Sequence, residues 1–382
     1  MKKLIRSATV ASSLDVFCRG LFRELSADYE VVALSSPGPK LQEIARREQV
    51  RTVAVKMQRH ISPFRDLVSL CRLVRVLRRE RPDIIHSMTP KAGLLCMTAA
   101  WMARVPVRIH TFTGLVFPTS KGLKRLLLML TDAITCACAT HVVAEGQGVR
   151  NDLVGFGITG KPVRVLGFGN VRGIDLRHYD RTDEVMRRAE EIRGEMGATE
   201  KSFVFIAVGR LVRDKGIKEL VEAFCRLYES EPGAHLLLVG DEEPRLDPLD
   251  SATKAAIASC PNIHKVGNQA DVRPYYAAAD VLVHASYREG FPNVVIEAGA
   301  MQLPCIVTDI NGSREIVINN RNGIVVPPHQ ADRLFKAMQW LVCTPSLVRS
   351  LAAAARPLVA ERYEQDFVRQ CLKEYYREVA GE

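Results

Sequence analysis

Metal-type cysteine pairs are missing from this sequence. Ten cysteines occur, and the nearest two, Cys136 and Cys138, are separated by a single residue. That spacing excludes a zinc ribbon and suits small core residues in a reducing compartment. No Asp-x-Asp pair occurs anywhere. Uninterrupted apolar runs of membrane-spanning length are lacking too. Leu126–Ala144 comes nearest, but Asp132 and His141 break it, so a buried helix followed by a buried strand over 139–144 is expected. Met1–Arg6 opens like a secretory signal, then its apolar run fails at Ser12, Ser13 and Asp15; a first buried strand is expected instead. Gly155–Lys161 matches G-x-G-x-x-G but precedes the strand Val163–Leu166 rather than following one, and reads as a turn.

What is present fits a soluble α/β protein. A length of 382 residues exceeds one ordinary core and predicts two domains. The charge is uneven. Residues 1–180 hold 28 basic against 14 acidic side chains, a net of +14, whereas the rest hold 25 against 29. The first half should therefore meet something anionic. Helical spacing over Phe64–Glu80 places Arg65, Arg72, Arg75 and Arg79 on one face, with Leu67, Val68, Cys71, Val74 and Leu77 largely opposite. Strand-like and helix-like runs alternate from Met1 to about Asn170, with one helix expected over Val16–Leu25. They alternate again from Phe203, with a closing helix over Arg362–Val379. In an open parallel sheet, ligands bind beyond the carboxyl ends of the strands.

The most informative stretch begins with the apolar run Ala279–Ala285. Ser286-Tyr287-Arg288-Glu289-Gly290-Phe291-Pro292 follows, and helical spacing resumes from Asn293 to Met301. A strand, a Gly-Phe-Pro turn and a helix start aim amide N–H groups and the positive helix end at the turn, which suits a phosphate. Glu289 and Glu297 flank that turn, and carboxylates suit sugar hydroxyls. Arg210 and Lys215 stand on another strand-to-helix loop, after Phe203–Val208.

The stretch Glu289–Glu297 resembles the Glu-x7-Glu signature of retaining GT-B glycosyltransferases of the family 4 type. Ala279-Asp280-Val281 before it, and Glu297–Ala300 and Pro304–Asp309 after it, agree with that family. The resemblance covers nearly the whole chain and implies two doubly wound, Rossmann-like α/β domains facing a cleft. An acceptor-side domain would occupy residues 1–175 and a nucleotide-sugar-binding domain residues 176–357, with 358–382 crossing back onto the first.

The same resemblance implies sugar transfer from a nucleotide-sugar donor, a UDP-hexose or UDP-N-acetylhexosamine, to a lipid-linked or saccharide acceptor. Configuration would be retained, in cell-surface polysaccharide or glycan-precursor synthesis. Arg210 and Lys215 would hold the donor diphosphate, Glu289 the sugar and Glu297 the ribose. Gly290, Phe291, Pro292, Asn293 and Val294 would complete the donor site, with main chain around Val266 against the base. Ser12, Ser13, Thr113 and Gly114 would lie on the acceptor side. Two departures stand out: relatives often carry a glycine-rich turn where Ala11–Leu14 stands, and many carry a histidine in place of Thr113. His110, three residues earlier, is expected to pack on its strand. Without Asp-x-Asp, cations and amides would stabilise the leaving diphosphate, and no metal or other cofactor is expected. An anionic membrane surface, not nucleic acid, is the expected partner of the basic half, on the cytoplasmic side of the membrane. An epimerase or hydrolase on the same fold, or a non-catalytic nucleotide-sugar-binding subunit, remain alternatives.

Overall fold

The computed structural model describes residues 1–58, 62–244 and 247–381. They form two compact units: residues 1–173 with 366–381, and residues 174–365.

In the first unit, seven parallel strands stand in the order β3-β2-β1-β4-β5-β6-β7. They are β1 (Lys2–Ser7), β2 (Tyr29–Ser35), β3 (Arg51–Ala54), β4 (Ile84–Met88), β5 (Val107–Phe112), β6 (His141–Ala144) and β7 (Val163–Arg164). Neighbouring residues of β1 feed opposite faces: Ile5 packs with Val32 and Ile85, while Leu4 packs with Val31 and Ile84. Burial on both faces is why the inner strands carry adjacent apolar pairs such as Leu4-Ile5, Val31-Val32 and Ile84-Ile85.

The second unit has six parallel strands in the order β10-β9-β8-β11-β12-β13. They are β8 (Phe203–Val208), β9 (Ala234–Val239), β10 (Ile263–Gly267), β11 (Val281–His284), β12 (Cys305–Thr308) and β13 (Gly323–Val326). Ile206 and Leu237 face one core, Phe205 and Leu236 the other. Both sheets reverse strand order beside their first strand, β1 or β8, which is the place where doubly wound sheets bind ligands.

Several expectations need correction. The closing helix is two helices, Pro345–Tyr363 and Gln365–Ala380. The first packs on the helix Asn293–Ala300, where a Cβ on Gly299 would lie 2.7 Å from Val359, so residues 358–365 stay with the second unit. The second sends Leu372, Tyr375 and Tyr376 into the first unit's core. The single helix over Val16–Leu25 is instead Ala11–Cys18 and Leu21–Leu25, broken at Gly20 with φ +75°. Ser12 and Ser13 therefore sit inside a first helical turn.

Two helices of the first unit present apolar faces outward. Helix Pro63–Glu80 buries Ser69, Leu73, Val74 and Leu77 but exposes Leu67, Val68 and Cys71 beside the arginines, with Phe64 88% exposed. The reason is register: the row through Leu73 and Leu77 meets the sheet, so the row through Leu67 and Cys71 cannot. Helix Gly122–Cys138, expected buried, fully buries only Asp132, Thr135 and Cys136. It exposes Leu123, Leu126, Leu127, Leu130 and Ile134 along one side.

Candidate active site

The loop leaving β11 is tied to the loop leaving β8. Tyr287 N–H donates to the Asp214 carbonyl at 2.9 Å, and Arg288 donates to one Asp214 carboxylate oxygen at 3.1 and 2.8 Å. Gly216 permits the approach: it holds φ +65°, and a Cβ there would fall 2.0 Å from the Ala285 carbonyl oxygen. Thr308 at the end of β12 donates to the Ser286 carbonyl at 2.5 Å.

These ties fix Glu289. Its Oε1 takes an ion pair from Lys215 and a 3.0 Å hydrogen bond from the Ser286 hydroxyl. His284 Nε2 stands 3.3 Å from the same oxygen, short of hydrogen-bond geometry, and has no hydrogen-bond partner among the described residues. Glu289 Oε2 makes no hydrogen bond among the described residues. Burial would raise the Glu289 pKa, but the Lys215 ammonium beside it outweighs burial and holds the group well below the usual carboxylate range. Glu289 is thus an ionised carboxylate with one oxygen anchored and one free for a ligand hydroxyl.

Helix Asn293–Ala300 opens directly after Pro292, whose backbone is extended. Its first-turn amides and positive end therefore lie at the Gly290–Pro292 turn. The loop at Gly312 braces that turn, since a Cβ there would meet the Gly290 carbonyl at 2.5 Å. Glu297 falls just over one turn into the helix, 8% exposed, and accepts from the Tyr276 hydroxyl at 3.2 Å. Burial first, then Glu297, pushes the Tyr276 pKa well above its ordinary value. Phe291 turns away from this surface: it is buried against Tyr363, ring centroids 5.5 Å apart. Val294 is half-buried, and its carbonyl lies 3.4 Å from the Tyr276 hydroxyl. At β10 the Val266 carbonyl accepts from the Gln269 side chain at 2.7 Å.

Lys215 lies at the end of a short 3-10 turn, half-buried, while Arg210 is 56% exposed and paired with Glu243 at 2.5 Å. The structure thus brings Arg210, Lys215, Glu289, Gly290–Val294 and Glu297 to one end of one sheet. Ser12, Ser13, Thr113 and Gly114 belong to the first unit, where Thr113 and Gly114 follow β5 directly. His110 packs on its strand as expected, with Nδ1 2.8 Å from Ser87 Oγ. Among the described residues, no cluster of three or more His, Cys, Asp or Glu side chains could hold a metal ion. Sequence reasoning missed His284, Ser286, Tyr276 and Gly216. The first two stand within five residues of Glu289, and that proximity was the available signal.

Two family descriptions match the chain. "Glycosyl transferases group 1" covers residues 188–357, and "Glycosyl transferase 4-like domain" covers residues 14–169. This chain belongs to the GT-B glycosyltransferases.

Relatives extend over most of this glycosyltransferase. It is 28% identical to the capsular polysaccharide biosynthesis glycosyltransferase CapM of Staphylococcus aureus, across 98% of this chain and 97% of the relative. A UDP-Gal:alpha-D-GlcNAc-diphosphoundecaprenol alpha-1,3-galactosyltransferase of Escherichia coli is 29% identical, across 73% of this chain and 71% of the relative. Among solved structures, Anabaena Alr3699/HepE in complex with UDP shares the fold. The TM-score is 0.81 over 99% of this chain and all of that one, at 18% identity. The glycosyltransferase thus carries the α/β GT-B fold read from its sequence.

Proposed function

We propose that this glycosyltransferase moves a hexose or N-acetylhexosamine from a UDP-sugar to a lipid-linked or saccharide acceptor, with retention of configuration and without a metal, in cell-surface polysaccharide or glycan-precursor synthesis. The observation that carries this reading is the pairing of an ionised, half-anchored Glu289 with Lys215 beside the start of helix Asn293–Ala300. Glu289 Oε2 accepts from a sugar hydroxyl, while Arg210, Lys215 and the helix amides stabilise the departing diphosphate. Glu297 accepts from ribose hydroxyls, and main chain at Gly290–Val294 and Val266 completes the donor site. In the reaction the bond from the anomeric carbon to phosphate breaks and one to the acceptor oxygen forms on the same face. The acceptor proton passes to the leaving phosphate. The UDP and UDP-glucose complexes of HepE and the diphosphoundecaprenol-linked substrate in the name of the E. coli relative support the choice of donor and acceptor. Ser12, Ser13, Thr113 and Gly114 serve the acceptor.

The same reading gives the first unit an anionic membrane surface on the cytoplasmic side as partner. Arg72 and Arg75 form no ion pair among the described residues, and exposed leucines share their unit. No helix of the described residues is long and apolar enough to cross a membrane.

A donor screen tests the catalytic reading: purified protein with a panel of nucleotide sugars, with and without a lipid-diphosphate saccharide, followed by mass spectrometry and NMR of the product anomer. UDP-sugar turnover that needs the acceptor and keeps the donor's configuration is expected. Equal turnover without acceptor would replace transfer by hydrolysis, and an inverted product would remove retention.

A further inference from the structure

His284 is buried, 6% exposed, at the last position of β11. Its Nε2 is sealed from solvent without a hydrogen-bond partner among the described residues, 3.3 Å from a carboxylate oxygen that already has two donors. A buried polar atom left unpaired at that distance is costly and calls for an explanation.

The explanation follows from the two demands on Lys215. It is the cation of Glu289 in the structure, and the donor-site reading above also requires it at the leaving diphosphate. An ammonium that turns to phosphate abandons a buried carboxylate, and breaking a buried pair is far costlier than never forming it. Among the described residues, His284 is the titratable group besides Lys215 that stands against Glu289. Arg210, which lines the same pocket, is paired with Glu243; Arg213 and Asp214 are paired with Asp247 and Arg288; Asp309 after β12 is paired with Arg314. Ser286 is neutral. That leaves His284.

We propose that His284 is a positioning residue that relieves Lys215: when a nucleotide diphosphate draws the ammonium away, the imidazole takes a proton from solvent and becomes the cation that keeps Glu289 ionised and aimed. The inference rests on the donor-site reading and adds a consequence to it. Donor binding then takes up a proton, so affinity for the nucleotide rises as pH falls. The ring needs no large motion, because Nε2 already faces Oε1.

Calorimetric titration of UDP into the full chain tests this at about pH 8, where a terminal phosphate with a second ionisation near about 6 is already fully charged. Run in two buffers of different ionisation enthalpy, the observed heats report the protons exchanged per UDP bound. The parent protein should take up a fraction of one proton, and His284→Asn should bind UDP with none. Binding by the parent without proton uptake, or equal uptake by His284→Asn, overturns the proposal and leaves the donor site standing. Absence of any UDP binding by the parent overturns both. Nitrogen-15 NMR of the parent's imidazoles covers the case in which the variant does not fold. One ring should pass from neutral to doubly protonated on adding UDP, and no such change overturns the proposal.

Discussion

Lys215 and Glu289 form an ion pair that joins the loop after β8 to the loop after β11, and Gly216, next to Lys215, allows those loops to meet. The pair binds a cation suited to diphosphate to a carboxylate suited to a hydroxyl. Their separation in sequence is 74 residues, so only the sheet order β8-β11 makes them neighbours.

The two loop cations should differ in what their loss does to the fold. Arg210→Ala removes an exposed side chain, so the melting midpoint should hold while turnover falls by the roughly 10²–10³-fold typical of losing one charge-stabilising group. Lys215→Ala should lose at least as much turnover and also melt earlier, since it strands a buried carboxylate. Thermal scans beside steady-state rates check this. Parent-like rates in both variants would remove them from the donor site.

The two glutamates should separate in binding and turnover. Glu297→Gln places a mixed donor–acceptor where ribose hydroxyls are to be accepted, and weaker UDP binding is expected. Glu289→Gln should lower turnover more than UDP affinity, because the role proposed for its free oxygen is to accept from the sugar. Titration of UDP into both variants decides, and unchanged affinity in Glu297→Gln would contradict the ribose role.

Much of this site was legible in the sequence because it is local. Glu289, the Gly-Phe-Pro turn and Glu297 lie on one strand-turn-helix unit, and strands such as β8, β9 and β11 are buried apolar runs. What was hidden depends on tertiary contact. Phe291 looked like part of a binding turn, but Tyr363, 72 residues on, supplies the surface it packs against. Helical spacing over Phe64–Glu80 displayed two candidate apolar rows, and only the sheet decides which is buried. Helix Gly122–Cys138 is so rich in leucine that composition suggested burial, whereas the sheet needs only one of its sides.

Gly216→Ala should be among the most damaging small changes in the second unit. Its φ of +65° already strains an alanine, and the added carbon would overlap the Ala285 carbonyl. Relief requires the loops to part, which displaces Lys215 from Glu289. A lower melting midpoint and a loss of turnover on the order of 10²-fold are expected, the scale of a misplacement near 1 Å. Gly233→Ala, where no atom lies within 4 Å of the new carbon, is the control and should change neither.

Asp132 gives the first unit a pH dependence of definite sign. Burial pushes its carboxyl up to about 7, against an ordinary value of about 3.9. Between those values the folded state holds a proton that the unfolded chain has released, so this group's contribution to stability falls as pH rises from about 4 to about 7. Asp132→Asn removes the dependence. The midpoint difference, variant minus parent, should therefore grow from pH 5 to pH 8; a constant difference would contradict the assignment.

Membrane docking by the first unit should have two components with different salt responses. Residues 1–180 carry a net charge of +14. Attraction of Arg65, Arg72, Arg75 and Arg79 to anionic headgroups weakens as salt shortens the screening length from about 10 Å at 0.1 M to about 3 Å at 1 M. The stripe Leu123, Leu126, Leu127, Leu130 and Ile134 is apolar, and salt does not release buried apolar area. Lys121, Lys124 and Arg125 stand at that helix's start, and Asp132, its only acidic residue, is buried, so the exposed side suits an anionic interface. Co-sedimentation with anionic vesicles should therefore fall between 0.1 M and 1 M salt without vanishing. Reversing charge at Arg72 and Arg75 should remove most of the salt-sensitive part, and Leu126→Ser with Leu130→Ser the salt-resistant part. Hydrolysis of free donor should be unchanged in both. If neither pair of changes alters sedimentation, these helices do not face the membrane.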